Sequence, residues 1–214
     1  MSMEKERKEI VAYGRKLLES GLTKGTGGNL SLRDETGERF AISPSGIPYE
    51  EMSWEDVVVL SLEGEVLEGS RKPSSETEMH RLLYLARKDI RAVIHSHTVF
   101  ATTVACLNEA LPPVHYMVAV AGLEVPCAPY ATFGTRELAE NAARTMGEGK
   151  AVLLANHGLL AAGGTLGEAF NITEEVEYVA EIYCRTRSMG TPVILPQEEM
   201  VRMLDLFQNY GQGK

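Results

Sequence analysis

A chain of 214 residues, 44% hydrophobic and 24% charged, has the composition of a soluble globular protein and is long enough to bury one substantial core. Its net charge of −9 argues against nucleic acid as a partner, because a phosphate backbone is gripped by a basic surface. No apolar run reaches membrane-spanning length, the start MSMEKERKEI lacks the apolar stretch of a secretory leader, and Cys106, Cys127 and Cys184 form neither a disulfide framework nor a CxxC metal site.

The expectation is therefore a single domain over residues 1–214 in the reducing cytoplasm, with no membrane partner. The negative field also constrains any phosphate-bearing substrate, which would have to be held by local N–H and hydroxyl donors.

The elements follow in chain order. Ile10, Val11, Tyr13, Leu17 and Leu18 are spaced for a helix over residues 5–20, and Gly21 suits its stop. KGTGGNLSL turns through glycines into a strand at 29–33, and a hairpin turn at 34–37 leads to a second strand near 40–43. DVVVLSL reads as a buried strand, followed by a Glu63–Gly64 turn and a short strand at 65–68. Ser75 with Glu78 forms a capping box for a helix whose buried stripe is Met79, Leu82, Leu83 and Ala86. A strand at 92–95 and a helix at 100–107 come next, then short strands at 118–120 and 125–128 around Gly122. Thr135 caps a helix carrying Leu138, Ala139, Ala142 and Met146. AVLLAN is an apolar strand ending at His157–Gly158, and Thr165 with Glu168 is a second capping box. The last helix opens near Pro196. Strands interleaved with helices imply a sheet covered on both faces.

Three of the five histidines fall at strand ends. In His95-Ser96-His97 the period of two puts both rings on one face of an extended strand. His157 emerges where a strand meets a glycine. Three neutral imidazoles with one open position describe a catalytic metal site. His80 lies on the helical stripe beside Met79 and Leu83 and reads as a hydrogen-bonded structural histidine, whereas His115 fits either role.

Three segments offer serine or glycine to an anion: Thr26-Gly27-Gly28-Asn29, Ser43-Pro44-Ser45-Gly46 and Pro73-Ser74-Ser75-Glu76. The third stands at a helix start, whose free N–H groups and dipole favour phosphate. Glu76 beside it is a candidate general base, the alternative being an acid that serves the helix dipole. Tyr116 is a candidate proton donor.

Taken together, TGGNLSL, ISPSGIPYE, RKPSSETEMH, VIHSHTVFAT, PPVHYM, PCAPYATFGTREL and LLANHGLL, with FQNYG at the C-terminus, resemble one family. It is the class II aldolase and adducin family, which groups fuculose-phosphate-type aldolases with ribulose-phosphate epimerases and adducin-like domains. The resemblance implies a three-layer α/β/α sandwich around a mixed, mostly antiparallel sheet, and a homotetramer with sites between subunits. It makes His95, His97 and His157 ligands of Zn2+ (Mn2+ or Co2+ being other divalent options). Glu76 becomes a resting-state ligand and the acid/base. Gly28, Asn29, Ser45, Gly46, Ser74 and Ser75 become phosphate-loop residues, and Tyr116 a proton donor acting across a subunit boundary. Phe133 and Tyr210 become residues of the aldehyde end, Tyr210 lying in a C-terminal tail near the active site.

The implied reaction is reversible cleavage of a ketose 1-phosphate of the L-fuculose 1-phosphate type to dihydroxyacetone phosphate and a small aldehyde such as lactaldehyde. Aldolases of 5-deoxyribulose or methylthioribulose phosphate, a 4-epimerase, a methylthioribulose-phosphate dehydratase and a non-catalytic adducin-like domain are the alternatives. Glu76 after two serines favours aldolase over epimerase, where the family expectation is Asp. One departure stands out: fuculose-phosphate aldolases often read His-His-Gly where this chain has Asn156-His157-Gly158.

Overall fold

Asn29–Arg33 forms β1, whose two neighbours carry the rest of an eight-stranded sheet. On one side follow β2 (Arg39–Ile42), β3 (Val58–Ser61) and β4 (Val66–Glu68). On the other lie β5 (Ala92–Ser96), β8 (Gly158–Gly163), β7 (Ala151–Leu154) and β6 (Cys127–Ala128). All neighbours pair antiparallel except β6 with β7. The computed structural model describes residues 3–208.

Alternation along each strand assigns the two faces. Leu30, Leu32, Ala41, Val59 and Ile94 pack under α1 (Glu4–Glu19) and the start of α5 (Leu166–Met189), against Ile10, Leu17 and Phe170. Ala161, opposite Ile94 in the β5–β8 register, continues that face under α3 (Val99–Ala105), the rest of α5 and α6 (Gln197–Gln208). Phe40, Ile42, Leu60, Val93, Val152 and Leu160 point the other way, into α2 (Thr77–Ala86) and α4 (Arg136–Met146). The architecture is the three-layer α/β/α sandwich around a mostly antiparallel sheet that the resemblance implies.

The cap at Thr135 forms as read, its side chain accepting from the Leu138 amide at 3.3 Å. At Thr165 half of the box forms. The hydroxyl takes the Glu168 amide, but the Glu168 carboxylate accepts from the Gly164 N–H, one residue earlier than the box requires.

Residues 116–120 form a 3-10 turn rather than a strand, and Val125 makes only an isolated bridge to Leu111. GLLAAG, to which the sequence pattern assigns no element, is β8, an interior strand of the sheet buried throughout. A strand buried on both faces shows no alternation, and this one lacks the β-branched residues that mark strands. Ser75 is not the cap of α2. Its N-cap is Glu76, and the turn before it is tied by Ser74, whose Oγ accepts from the Glu76 amide at 3.2 Å while its carbonyl accepts the Thr77 hydroxyl at 2.6 Å. Glu78 turns outward to Arg81 instead. The buried stripe of α2 is Met79, His80, Leu83 and Tyr84, with Ala86 exposed.

Candidate metal centre and active site

The site is assembled where the ends of β1, β5 and β8 meet the start of α2. Asn29 and His95 are partners in the β1–β5 register, so both side chains project on the α2 face. His97 follows one residue beyond β5, and His157 closes the three-residue turn between β7 and β8. Asn156 in that turn adopts φ 54°, a left-handed conformation that Asn tolerates.

Two glycines let the backbone come close enough. A Cβ on Gly28, whose φ is +73°, would run into the His95 carbonyl oxygen. One on Gly158 would stand 2.5 Å from the Ser96 carbonyl oxygen and 3.0 Å from the His97 ring.

The three imidazoles converge, their ligand-capable nitrogens all within 4.8 Å of one another. His95 Nδ1 is 3.0 Å from the Leu159 carbonyl oxygen, which only accepts, so the proton resides on Nδ1. Its Nε2 lone pair then faces His97 Nε2, 3.0 Å away. The His157 ring completes the trio, its centroid 4.8 Å from that of His95 and 5.2 Å from that of His97. Burial first, then the neighbouring His157 and His97, hold His95 well below the ordinary histidine range. Burial and His157 likewise lower His97. Neutral rings are the ligating form.

Glu76 stands beside them, Oε2 at 3.2 Å from His95 Nε2 and Oε1 at 3.4 Å from His157 Nε2. Oε2 accepts from Asn29 Nδ2 at 2.9 Å, whereas Oε1 is buried without a hydrogen-bond partner. Three convergent imidazoles and a buried carboxylate oxygen without a hydrogen bond are the donor set of a divalent cation, and the residues fit such an ion.

A cavity of about 390 Å³ opens over this centre. All three predicted anion loops line it, with Gly28, Asn29, Ser45, Gly46, Ser74, Ser75 and Glu76 at its wall together with His97 and His157. The second and third loops are one wall, joined by the Pro44–Pro73 bridge and by the Ser74 amide donating to Ser43 O at 3.2 Å. Phe133, 66% exposed, lines the cavity. Tyr130 and Asn156 line it too, unforeseen as site residues. PCAPYATFGTREL places Tyr130 three residues before Phe133, but nothing in its chemistry singled it out.

Tyr116 is not brought to the cavity. Its ring is 46% exposed and stacked on Phe207 with centroids 6.2 Å apart. Tyr210 and the tail around it lie outside the described residues. Among the described residues no helix is long and apolar enough to cross a membrane.

Residues 8–184 match the model of the class II aldolase and adducin N-terminal domain. The chain is 52% identical over 212 residues to a 5-deoxy-D-ribulose 1-phosphate aldolase of Bacillus thuringiensis serovar kurstaki, covering 99% of this chain and 100% of that protein. It is 43% identical to a 5-methylthioribulose-1-phosphate/5-deoxyribulose-1-phosphate aldolase of Rhodospirillum rubrum, covering 97% and 93%. A solved structure of an L-fuculose 1-phosphate aldolase superposes with a TM-score of 0.95 at 53% identity, covering 97% and 98%.

Proposed function

Because the chain belongs to the class II aldolase and adducin family, we propose that it is a divalent-metal-dependent aldolase of a ketose 1-phosphate, cleaving the C3–C4 bond to dihydroxyacetone phosphate and a small aldehyde. The observation that carries this reading is the convergence of three imidazoles and of Glu76 Oε1, which has no hydrogen bond, at the floor of a cavity walled by serine- and glycine-bearing loops. A fold shared with aldolases does not by itself assign chemistry; the site does.

His95, His97 and His157 would hold the ion, with Glu76 as a further ligand in the resting state. Zinc suits the donor set best. When bound, it supplies Lewis-acid polarisation of the substrate carbonyl.

The chain's own groups do the rest. The loop amides and hydroxyls around Gly28, Ser45 and Ser75 hold the phosphate, which a net charge of −9 requires to be done locally. That anchorage fixes the reacting carbon. In cleavage the C4 hydroxyl loses its proton, the C3–C4 electron pair stays with C3, and Glu76 delivers a proton to C3. In synthesis Glu76 removes the same proton. Tyr116, exposed and outside the lining of its own chain's cavity, would exchange the aldehyde-oxygen proton in a neighbouring subunit. We therefore propose self-association, as a homotetramer, of a cytoplasmic enzyme built as one domain.

The aromatic rims of Tyr130 and Phe133 offer the distal end of the sugar an apolar surface, which suits a terminal methyl group. Both 5-deoxyribulose 1-phosphate and L-fuculose 1-phosphate carry one, and the likeness to the Bacillus thuringiensis protein puts the former first. Dihydroxyacetone phosphate release, measured over 5-deoxyribulose, L-fuculose, L-rhamnulose and methylthioribulose 1-phosphates, is the test. Highest kcat/KM on 5-deoxyribulose 1-phosphate is expected. An epimerised or dehydrated product in place of dihydroxyacetone phosphate would overturn the aldolase reading.

A further inference from the structure

Between α2 and β1 runs a buried polar seam that touches the cavity only at its end. Glu76, His80 and Tyr84 recur every four residues at the cap and along α2, and Asn29 and Ser31 sit two apart on β1. Four residues rise about 6.0 Å in a helix and two about 6.7 Å in a strand, so the two polar rows stay in step where they pack together. Asn29 Nδ2 is 2.9 Å from Glu76 Oε2, and Asn29 Oδ1 is 2.5 Å from His80 Nε2. Ser31 Oγ is 2.6 Å from both His80 Nδ1 and the Tyr84 hydroxyl. His80, Ser31 and Tyr84 are wholly buried, so water does not substitute for any link.

The series has one sense. An amide N–H donates and an amide oxygen accepts, so Asn29 Nδ2 donates to Glu76 Oε2 and Asn29 Oδ1 faces His80 as an acceptor. His80 Nε2 must then carry the proton. Burial lowers His80 to about 3, which leaves the ring neutral with a single N–H, and Nδ1 is a bare acceptor. Ser31 therefore donates to Nδ1 and accepts from Tyr84. The N–H and O–H groups from Ser31 through His80 to Asn29 point toward Glu76, and the Tyr84 proton is shared between Ser31 Oγ and the Arg91 carbonyl oxygen at 3.2 Å.

We infer that His80 is a positioning residue for the reaction, locking the Asn29 amide so that its N–H pins Glu76 Oε2 and leaves Oε1 free for proton transfer. An Asn29 released from this lock turns its amide either way round, and the carboxylate loses its fixed aim. The inference rests on the proton-transfer role of Glu76 and goes beyond it by naming what sets that residue's geometry.

The test uses the full-length, zinc-loaded enzyme with 5-deoxyribulose 1-phosphate as substrate, reading kcat, KM and bound zinc. His80→Leu removes the donor and is expected to lower kcat about 100-fold with KM and zinc content little changed. His80→Gln restores an amide N–H at the Nε2 position and should recover most of kcat. Asn29→Ala/His80→Leu should be no slower than Asn29→Ala alone, since both act through one amide. Ser31→Ala, a small change that unlocks the tautomer, should fall in the same direction and carries the test if His80→Leu does not fold.

Wild-type kcat in Ser31→Ala and His80→Leu, or a double variant slower than Asn29→Ala by the full His80→Leu factor, would overturn the inference. A Glu76→Gln enzyme with wild-type turnover is a separate outcome, which removes the premise about Glu76 itself.

Discussion

Asn29 and His95 face each other across the β1–β5 ladder, and both reach one carboxylate oxygen, Glu76 Oε2, at 2.9 and 3.2 Å. One strand pair thus carries both the amide that aims the proposed acid/base and the most deeply buried imidazole of the trio. A register slip of one residue would send both to the other face of the sheet.

Removing a ligand should remove the metal. His95→Ala and His157→Ala are each expected to purify without stoichiometric zinc and to lose at least about a hundredfold in turnover, because several kcal/mol of charge stabilisation disappear with the ion. Metal content by elemental analysis beside dihydroxyacetone phosphate release checks it. Full activity without metal would sink the scheme.

Glu76→Gln keeps shape and volume but cannot exchange a proton. Zinc should remain bound through the three histidines while kcat drops by about 10²–10⁴-fold. Proton exchange at C3 of dihydroxyacetone phosphate, followed by NMR in deuterated water, should vanish in parallel, which isolates this step from aldehyde release.

If Tyr116 serves a neighbouring subunit, two crippled chains should rescue each other. Tyr116→Phe and Glu76→Gln are each expected to be slow alone. When mixed under conditions that exchange subunits they should regain a substantial fraction of wild-type activity, through sites that draw both intact residues from different chains. Activity that stays at the average of the two parents would overturn the role of Tyr116 across a subunit boundary.

His80 makes stability depend on pH. Its folded value of about 3 lies below the ordinary 6.5, so the unfolded chain binds the extra proton between those limits. The contribution is complete above 6.5 and is lost as pH falls toward 3, with a slope of up to about 1.4 kcal/mol per pH unit. In metal-free protein with EDTA, urea melts between pH 7 and 5 should fall more steeply for wild type than for His80→Gln. Equal slopes would show that His80 takes up its proton alike in the folded and unfolded chain, with no lowering by burial.

Gly28 admits no side chain. Gly28→Ala combines a left-handed φ of +73° with a Cβ driven into the His95 carbonyl, and is expected to cost on the order of 1–3 kcal/mol. Zinc affinity should fall with it, because β5 must shift to relieve the contact. A thermal melt and a zinc titration measure the two effects together.

Residue chemistry and chain pattern determined much of this protein. The helix over Ile10–Leu17, the strand NLSLR, the caps at Thr135 and Thr165 and the three glycine- and serine-bearing loops are local features, set by periodicity, capping chemistry and turn preference within a few residues. HxH at a strand end and a histidine before Gly158 marked the ligand candidates for the same reason. Only the tertiary structure decided what these features share. His95, His97 and His157 span more than sixty residues of chain, and their convergence depends on β8 pairing with β5, through a strand whose uniform burial erased its alternation. Glu76 reads from sequence either as a general base or as a dipole-favouring acid, and it is the cap geometry that buries its carboxylate beside the imidazoles. His80 reads as structural until packing sets α2 against β1, because a four-residue helical step and a two-residue strand step align only when the two elements touch.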